Sequence, residues 1–116
     1  MPILNLTRQT TLASYVQVAD NPLKRMKGLI GKLGLAQGYA LLIPGCNSIH
    51  MFFMKFPIDV VFVDKANKVA GLSKNIKPFE LSPVFWKSSC AIELPAGTIE
   101  ATQTQLNDEL TITSSW

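Results

Sequence analysis

The sequence predicts a mainly β fold: a small single-domain β-sandwich or barrel-like structure. It has one short helix near residues 21–33 and a helical turn near 98–102. Three observations carry this expectation. Short apolar runs rich in strand formers recur along the chain, with glycine and proline between them. A long helical period occurs once, at Leu23, Met26, Leu29, Ile30 and Leu33. The 116 residues are 47% hydrophobic and 16% charged, enough for one core but not for two domains. Area scaling for this mass gives about 6,300 Å² of folded surface against about 18,600 Å² unfolded, so roughly two-thirds is buried.

The elements follow in order. Leu12 to Val18 alternates and is rich in strand formers, so it predicts a strand. Asp20-Asn21-Pro22 reads as a helix start, with Asp20 as cap and Pro22 in the first turn. Gly34 is its natural stop. Gly28 lies on the polar face and leaves backbone bare there, where a loop or ligand can approach. Tyr39 to Ile43 predicts a short buried strand, and Pro44-Gly45 a turn. Ser48 to Phe56 predicts a strand with aromatic and methionine side chains on both faces. Pro57 then removes a ladder donor.

Ile58 to Asp64 is the strongest strand signal in the chain. Lys65-Ala66-Asn67 turns it into a returning strand, Lys68 to Leu72. Lys74 to Ser82 reads as loop around Pro78 and Pro83. Ser89 to Leu94 predicts a further strand, Pro95-Ala96-Gly97 a turn, and Leu110 to Thr113 the closing strand. No repeat, linker or low-complexity tract divides the chain, so residues 1–116 form a single domain.

Composition excludes several function classes. No run of about 18 apolar residues exists to form a membrane span. Two cysteines make at most one bridge, so there is no disulfide scaffold. One histidine and two thiols do not furnish a four-ligand zinc site, and no cofactor is expected. The formal charge is +3, unevenly placed. Residues 1–58 carry six cations and one acid, and residues 59–116 five cations and seven acids. The cluster Lys24, Arg25, Lys27 and Lys32 lacks interleaved aromatics and reads as a solvated helix face, so nucleic acid is not an expected partner. The start of the chain shows no basic residue followed by an apolar run, which predicts a cytoplasmic protein with reduced thiols.

The densest chemistry lies between Gly45 and Asp59. This segment holds Cys46, Ser48, the single histidine His50, Lys55 and Asp59 around the apolar row Met51 to Met54. A binding pocket needs that mixture of apolar walls and a few fixed polar groups. Nucleophilic catalysis would use Cys46 as thiolate, His50 as base and Asp59 as orienter. On a straight strand Cys46 and His50 stand roughly 13 Å apart, so they meet only if the chain bends between Pro44 and Ser48. The same three residues lack the spacing of a metal site. Asp59, Glu80 and Glu93 are available for glycoside chemistry, but nothing pairs any two of them. Cys90 reads as core, since buried thiols commonly act as small apolar groups.

The ordered blocks Arg25 to Leu29, Gly38 to Pro44, Ser48 to Asp64 and Glu93 to Thr98 together resemble family 192 of the domains of unknown function, which is bacterial and archaeal. The resemblance runs from about Asp20 to Thr113, and Phe53-Met-Lys-Phe-Pro-Ile-Asp59 is its most specific part. It implies a small β-rich domain and no particular reaction. The positions that match are Arg25, Gly28, Ser48, His50, Phe53, Lys55, Pro57, Asp59, Glu93 and Gly97. Members often carry a Gly-Asp pair before the last strand, where this chain has Asn107-Asp108. Many also carry an export signal, and none is visible here.

These readings make a non-enzymatic binding domain the first expectation. Its ligand is a small polar molecule, glycan or peptide. The candidate contacts are Arg25, Gly28, Ser48, His50, Phe53, Lys55, Asp59 and Glu93. A Cys46–His50 enzyme is the alternative, and an accessory domain that binds protein through a sheet edge is the third. Lys55 or Arg25 is expected to pair with Asp59 or Glu93 at the sheet edge, as a structural ion pair.

Overall fold

A computed structural model describes residues 2–18, 35–48 and 56–112. The predicted helix at 21–33 and most of the predicted strand from Ser48 to Phe56 lie outside them. Ser48 and Phe56 themselves are not in strands. The described strands are β1 (Ile3–Asn5), β2 (Thr10–Ala13), β3 (Tyr15–Val18), β4 (Tyr39–Pro44), β5 (Ile58–Val63), β6 (Val69–Ile76), β7 (Cys90–Pro95) and β8 (Leu110–Thr111). A single helical turn, α1 (Thr98–Ala101), follows β7.

The strands form two sheets, ordered β2-β1-β8 and β3-β4-β7-β5-β6. The smaller sheet is antiparallel. In the larger one only β3 and β4 run parallel, with Tyr15 beside Tyr39 and Val18 beside Leu42. The fold is therefore mainly β with two sheets and is not a closed barrel. Among the described residues the larger sheet ends at β3 and β6 and the smaller at β2 and β8.

The predicted strand from Leu12 to Val18 divides at Ser14. Its first half belongs to the small sheet and its second half to the large one. At the corner the Ser14 and Tyr15 amides both donate to the Gly38 carbonyl, at 2.8 and 2.9 Å. Gly38 has φ +85°, a conformation that favours glycine. One peptide thus hands the chain from one sheet to the other.

β5 explains why its sequence gave the strongest signal. It lies between β6 and β7, and all six of its residues are buried. Alternate side chains feed two separate cores. Val61 and Val63 join Leu42, Ile92, Leu94 and Leu110 in the core between the sheets. Ile58, Val60 and Phe62 join Leu41, Ile76 and Ala91 on the other face. A strand buried on both sides reads as a continuous apolar run.

β6 runs through Ile76, beyond the predicted end at Leu72. Residues 74 and 75 looked like loop because they are polar and exposed on an edge strand. The ladder is irregular here: the register shifts between Ile58 and Val60, and Asn75 has φ +52°. β1 was not anticipated. Three residues are too few for a period, yet Ile3 and Asn5 are buried on either side of Leu4.

Candidate functional site

Asp59 is the second residue of β5 and is 1% exposed. Its Oδ1 accepts the Asn75 amide at 2.8 Å, at the irregular point of β6. Its Oδ2 accepts the amides of Gly97 at 3.1 Å and Ile99 at 2.9 Å. One carboxylate therefore ties three elements: β5, the neighbouring β6 and the turn into α1. Gly97 has φ +93°, so its N–H takes an orientation other residues rarely adopt.

Glu93, in the middle of β7, is fully buried. It stands beside Leu41 of β4 and Val60 of β5, both members of the outer apolar cluster. Asp59 stands beside Leu94, which belongs to the core between the sheets. Registered neighbours share a face, so the two carboxylates project from opposite faces of one sheet. Neither lies at a sheet edge, as the sequence had suggested. β7 is flanked by β4 and β5, and β5 by β7 and β6.

Cys46 and Ser48 are half-buried beyond the end of β4. The Cys46 thiol donates to the Ser48 carbonyl at 3.0 Å, and Cys46 packs against the outer cluster. The Cys46 carbonyl accepts the Ser88 hydroxyl at 2.9 Å. Cys46 and Asp59 thus belong to different faces of the large sheet. Cys90 is buried in the core between the sheets, and burial first, then the neighbouring Cys46, pushes its thiol up to about 11. Arg25, Gly28, His50, Phe53 and Lys55 lie outside the described residues. Among the described residues no group of three or more histidine, cysteine or acidic side chains is placed to hold a metal ion.

Two features escaped the sequence reading. The first is a polar knot that locks the small sheet. Asn5 is fully buried, and its Nδ2 donates to Asp108 Oδ2 at 3.0 Å and Thr104 Oγ1 at 3.2 Å. Arg8 Nε meets the same Asp108 oxygen at 3.1 Å. The Gln105 amide adds a fourth bond, at 2.9 Å. Burial raises the Asp108 carboxyl, but the hydrogen bonds from Asn5, Arg8 and Gln105 outweigh it and hold the group below its usual value.

The second is a cleft of about 340 Å³ at the corner between β2 and β3. It is lined by Thr11, Ser14, Gln37, Gly97, Thr98 and Ala101, among others, and no charged side chain faces it among the described residues. Its volume lies at the lower end of small-molecule sites, which run from about 300 to 1,000 Å³. Asp59 holds the Gly97–Thr98 rim by accepting the amides of Gly97 and of Ile99. The turn residues Gly38 and Gly97 were the signal that could have found it.

The model of family 192 of the domains of unknown function, described as "Uncharacterized ACR", matches residues 4–112. The chain belongs to this family. A UPF0127 protein from Thermococcus sibiricus is 30% identical over 112 residues, covering 93% of this chain and 72% of that one. A UPF0127 protein from Pyrococcus horikoshii is 31% identical over 114 residues, covering 93% and 96%. The family-192 domain also shares its fold with a crystal structure of a protein of unknown function from Novosphingobium aromaticivorans. The TM-score is 0.79 at 17% identity, over 97% of this chain and 84% of that one.

The Gly-Asp pair common in family-192 domains is Asn107-Asp108 here. Asn107 has φ +71°, so it takes the left-handed turn in which glycine is at ease. The following Asp108 is the hub of the polar knot. The pair is thus explained as a turn and a structural anchor.

Proposed function

We propose that this family-192 domain is a non-enzymatic binding domain for a small neutral polar molecule, such as a glycan unit or the backbone of a short peptide. The observation that carries the reading is the 340 Å³ cleft, whose walls offer hydroxyl, amide and backbone groups and, among the described residues, no charged side chain. Such a lining exchanges hydrogen bonds with neutral hydroxyl or amide groups, and gives an ion no counter-charge. The cleft lies between two turns anchored in different strands, so its walls are set before a ligand arrives. In this reading Asp59 positions the rim without touching the ligand, because its oxygens are taken up by Asn75, Gly97 and Ile99.

The test is thermal denaturation against a panel of neutral mono- and oligosaccharides and short uncharged peptides. A ligand at 100 times its dissociation constant adds about 2.7 kcal/mol of stability. Ala101 is exposed on the cleft wall. Ala101→Phe fills the cleft from the surface, so it abolishes the shift while leaving the unliganded melting point close to the wild-type value. A panel with no stabilising ligand, or equal binding by the Ala101→Phe protein, overturns the reading.

A further inference from the structure

The segment between β6 and β7 carries the most exposed apolar side chains described in the molecule. Trp86 is 84% exposed and Phe79 73%, with Leu81 and Val84 also open to solvent. Isolated exposed apolar residues are ordinary, but four within eight residues of one loop are not. The loop is also built. Phe85 turns inward, packs its ring at a tilt against Phe62 with centroids 4.6 Å apart, and donates its amide to the Asn47 carbonyl at 2.9 Å. It fills the space over Gly71, where a Cβ would fall 2.2 Å from the Phe85 ring. With Phe85 anchored, its neighbours Val84 and Trp86 are the exposed ones.

The other end of the loop is fixed as well. The Lys77 amide donates to Glu80 Oε1 at 2.6 Å, and the Glu80 amide returns to the Lys77 carbonyl at 3.0 Å. Phe79, inside this turn, has φ +68°, which is strained for a bulky residue. The turn therefore holds an aromatic ring out in water at a conformational cost. Three exposed lysines, Lys74, Lys77 and Lys87, flank the apolar residues along the chain, and Glu80 is the single acid between them in sequence.

We propose that this loop is a membrane-docking surface that seats Phe79, Leu81, Val84 and Trp86 in the interface of an anionic lipid bilayer. Tryptophan and phenylalanine suit the headgroup boundary. Aliphatic Leu81 and Val84 gain from acyl chains and offer nothing to stack on a nucleobase. Lysines beside the apolar group are complementary to an anionic headgroup layer. The domain would then lie on a membrane surface without crossing it; among the described residues no helix is long and apolar enough to span one.

The experiment uses the full chain with Trp116→Phe, which leaves Trp86 as the single tryptophan. Sedimentation with vesicles of phosphatidylcholine and phosphatidylserine in a three-to-one ratio is compared with pure phosphatidylcholine vesicles, alongside Trp86 emission. The expected result is binding to the anionic vesicles, a blue shift of Trp86 and quenching by brominated lipid. Trp86→Ser lowers the affinity at least tenfold, and each lysine changed to glutamine lowers it about fivefold. Trp86 and the three lysines are exposed, and circular dichroism establishes that the variants fold. No binding to anionic vesicles overturns the proposal, as does binding without a change at Trp86. Trp86-dependent capture of a single-stranded oligonucleotide in place of vesicles also overturns it.

Discussion

Asp59 and Ile99 are forty positions apart in sequence, and the carboxylate of one accepts the backbone amide of the other at 2.9 Å. That bond fixes the start of α1 against β5. The helical turn has no side-chain cap of its own at Gly97, so Asp59 supplies from β5 what a capping residue supplies locally elsewhere. The same oxygen holds Gly97, and the other oxygen holds Asn75 on the edge strand.

Removing that carboxylate leaves three amides without their acceptor. Hydrogen bonds to charged groups contribute about 1.5–3 kcal/mol each, and a buried donor left unmade costs more than the bond was worth. Asp59→Ala is expected to lose about 3 kcal/mol or more in urea unfolding. Asp59→Asn keeps the size and one acceptor oxygen, so its loss is smaller. Equal stability of the alanine variant and wild type would show that the tie contributes nothing.

Gly71 gives a second test, independent of hydrogen bonding. It pairs with Phe62 across the β5–β6 ladder, and the Phe85 ring lies directly over it. Gly71→Ala drives a methyl group into that ring, and overpacking of this kind costs about 1–3 kcal/mol. The ring must move, so the 79–86 loop loses its anchor. Limited proteolysis is expected to cut the variant in this loop faster than wild type while leaving the sheets intact.

The legible parts of the fold are those where burial is continuous. β5 and β7 have every residue buried, and their apolar runs were visible at once. Tyr39 to Ile43, whose centre is buried, was visible from its apolar run and the turn at Gly97 from turn chemistry, while Pro44 reads as a turn residue and in fact ends β4. The break at Ser14 was not, because nothing local marks where a strand leaves one sheet for another. The Gly38 carbonyl that makes the corner comes from a distant segment. Asp59 stood out as a polar residue in an apolar strand, which is the signature of both a ligand group and a structural tie. Only its partners, on β6 and before α1, separate those two meanings. The Asn5–Arg8–Asp108 knot was invisible because its members lie about a hundred residues apart and join only after the small sheet closes.

That knot makes stability depend on pH in a stated direction. The folded Asp108 carboxyl lies below 3.8, its ordinary value. The unfolded chain therefore binds this proton at higher pH than the folded one. Stability from Asp108 is fully present above 3.8 and is lost as pH falls from there through the lower folded value. Asp108→Asn removes this dependence and leaves a protein less stable at neutral pH. Unfolding free energies measured across the acid range should converge for the two proteins. A constant gap down to the lowest pH would show that Asp108 does not titrate as described.

The two thiols separate a structural reading from a catalytic one. Cys90 is buried in the core between the sheets and its thiol is pushed up to about 11, so at neutral pH almost none of it is thiolate. It should react with a thiol probe only after unfolding. Cys46 is half-buried and donates its thiol hydrogen to the Ser48 carbonyl at 3.0 Å. Native labelling should therefore modify Cys46 first, at a rate no greater than that of a free model thiol. The Cys46→Ala protein should then show no rapid labelling under native conditions. A Cys46 rate well above the model thiol would instead mark an activated nucleophile and revive the cysteine–histidine chemistry.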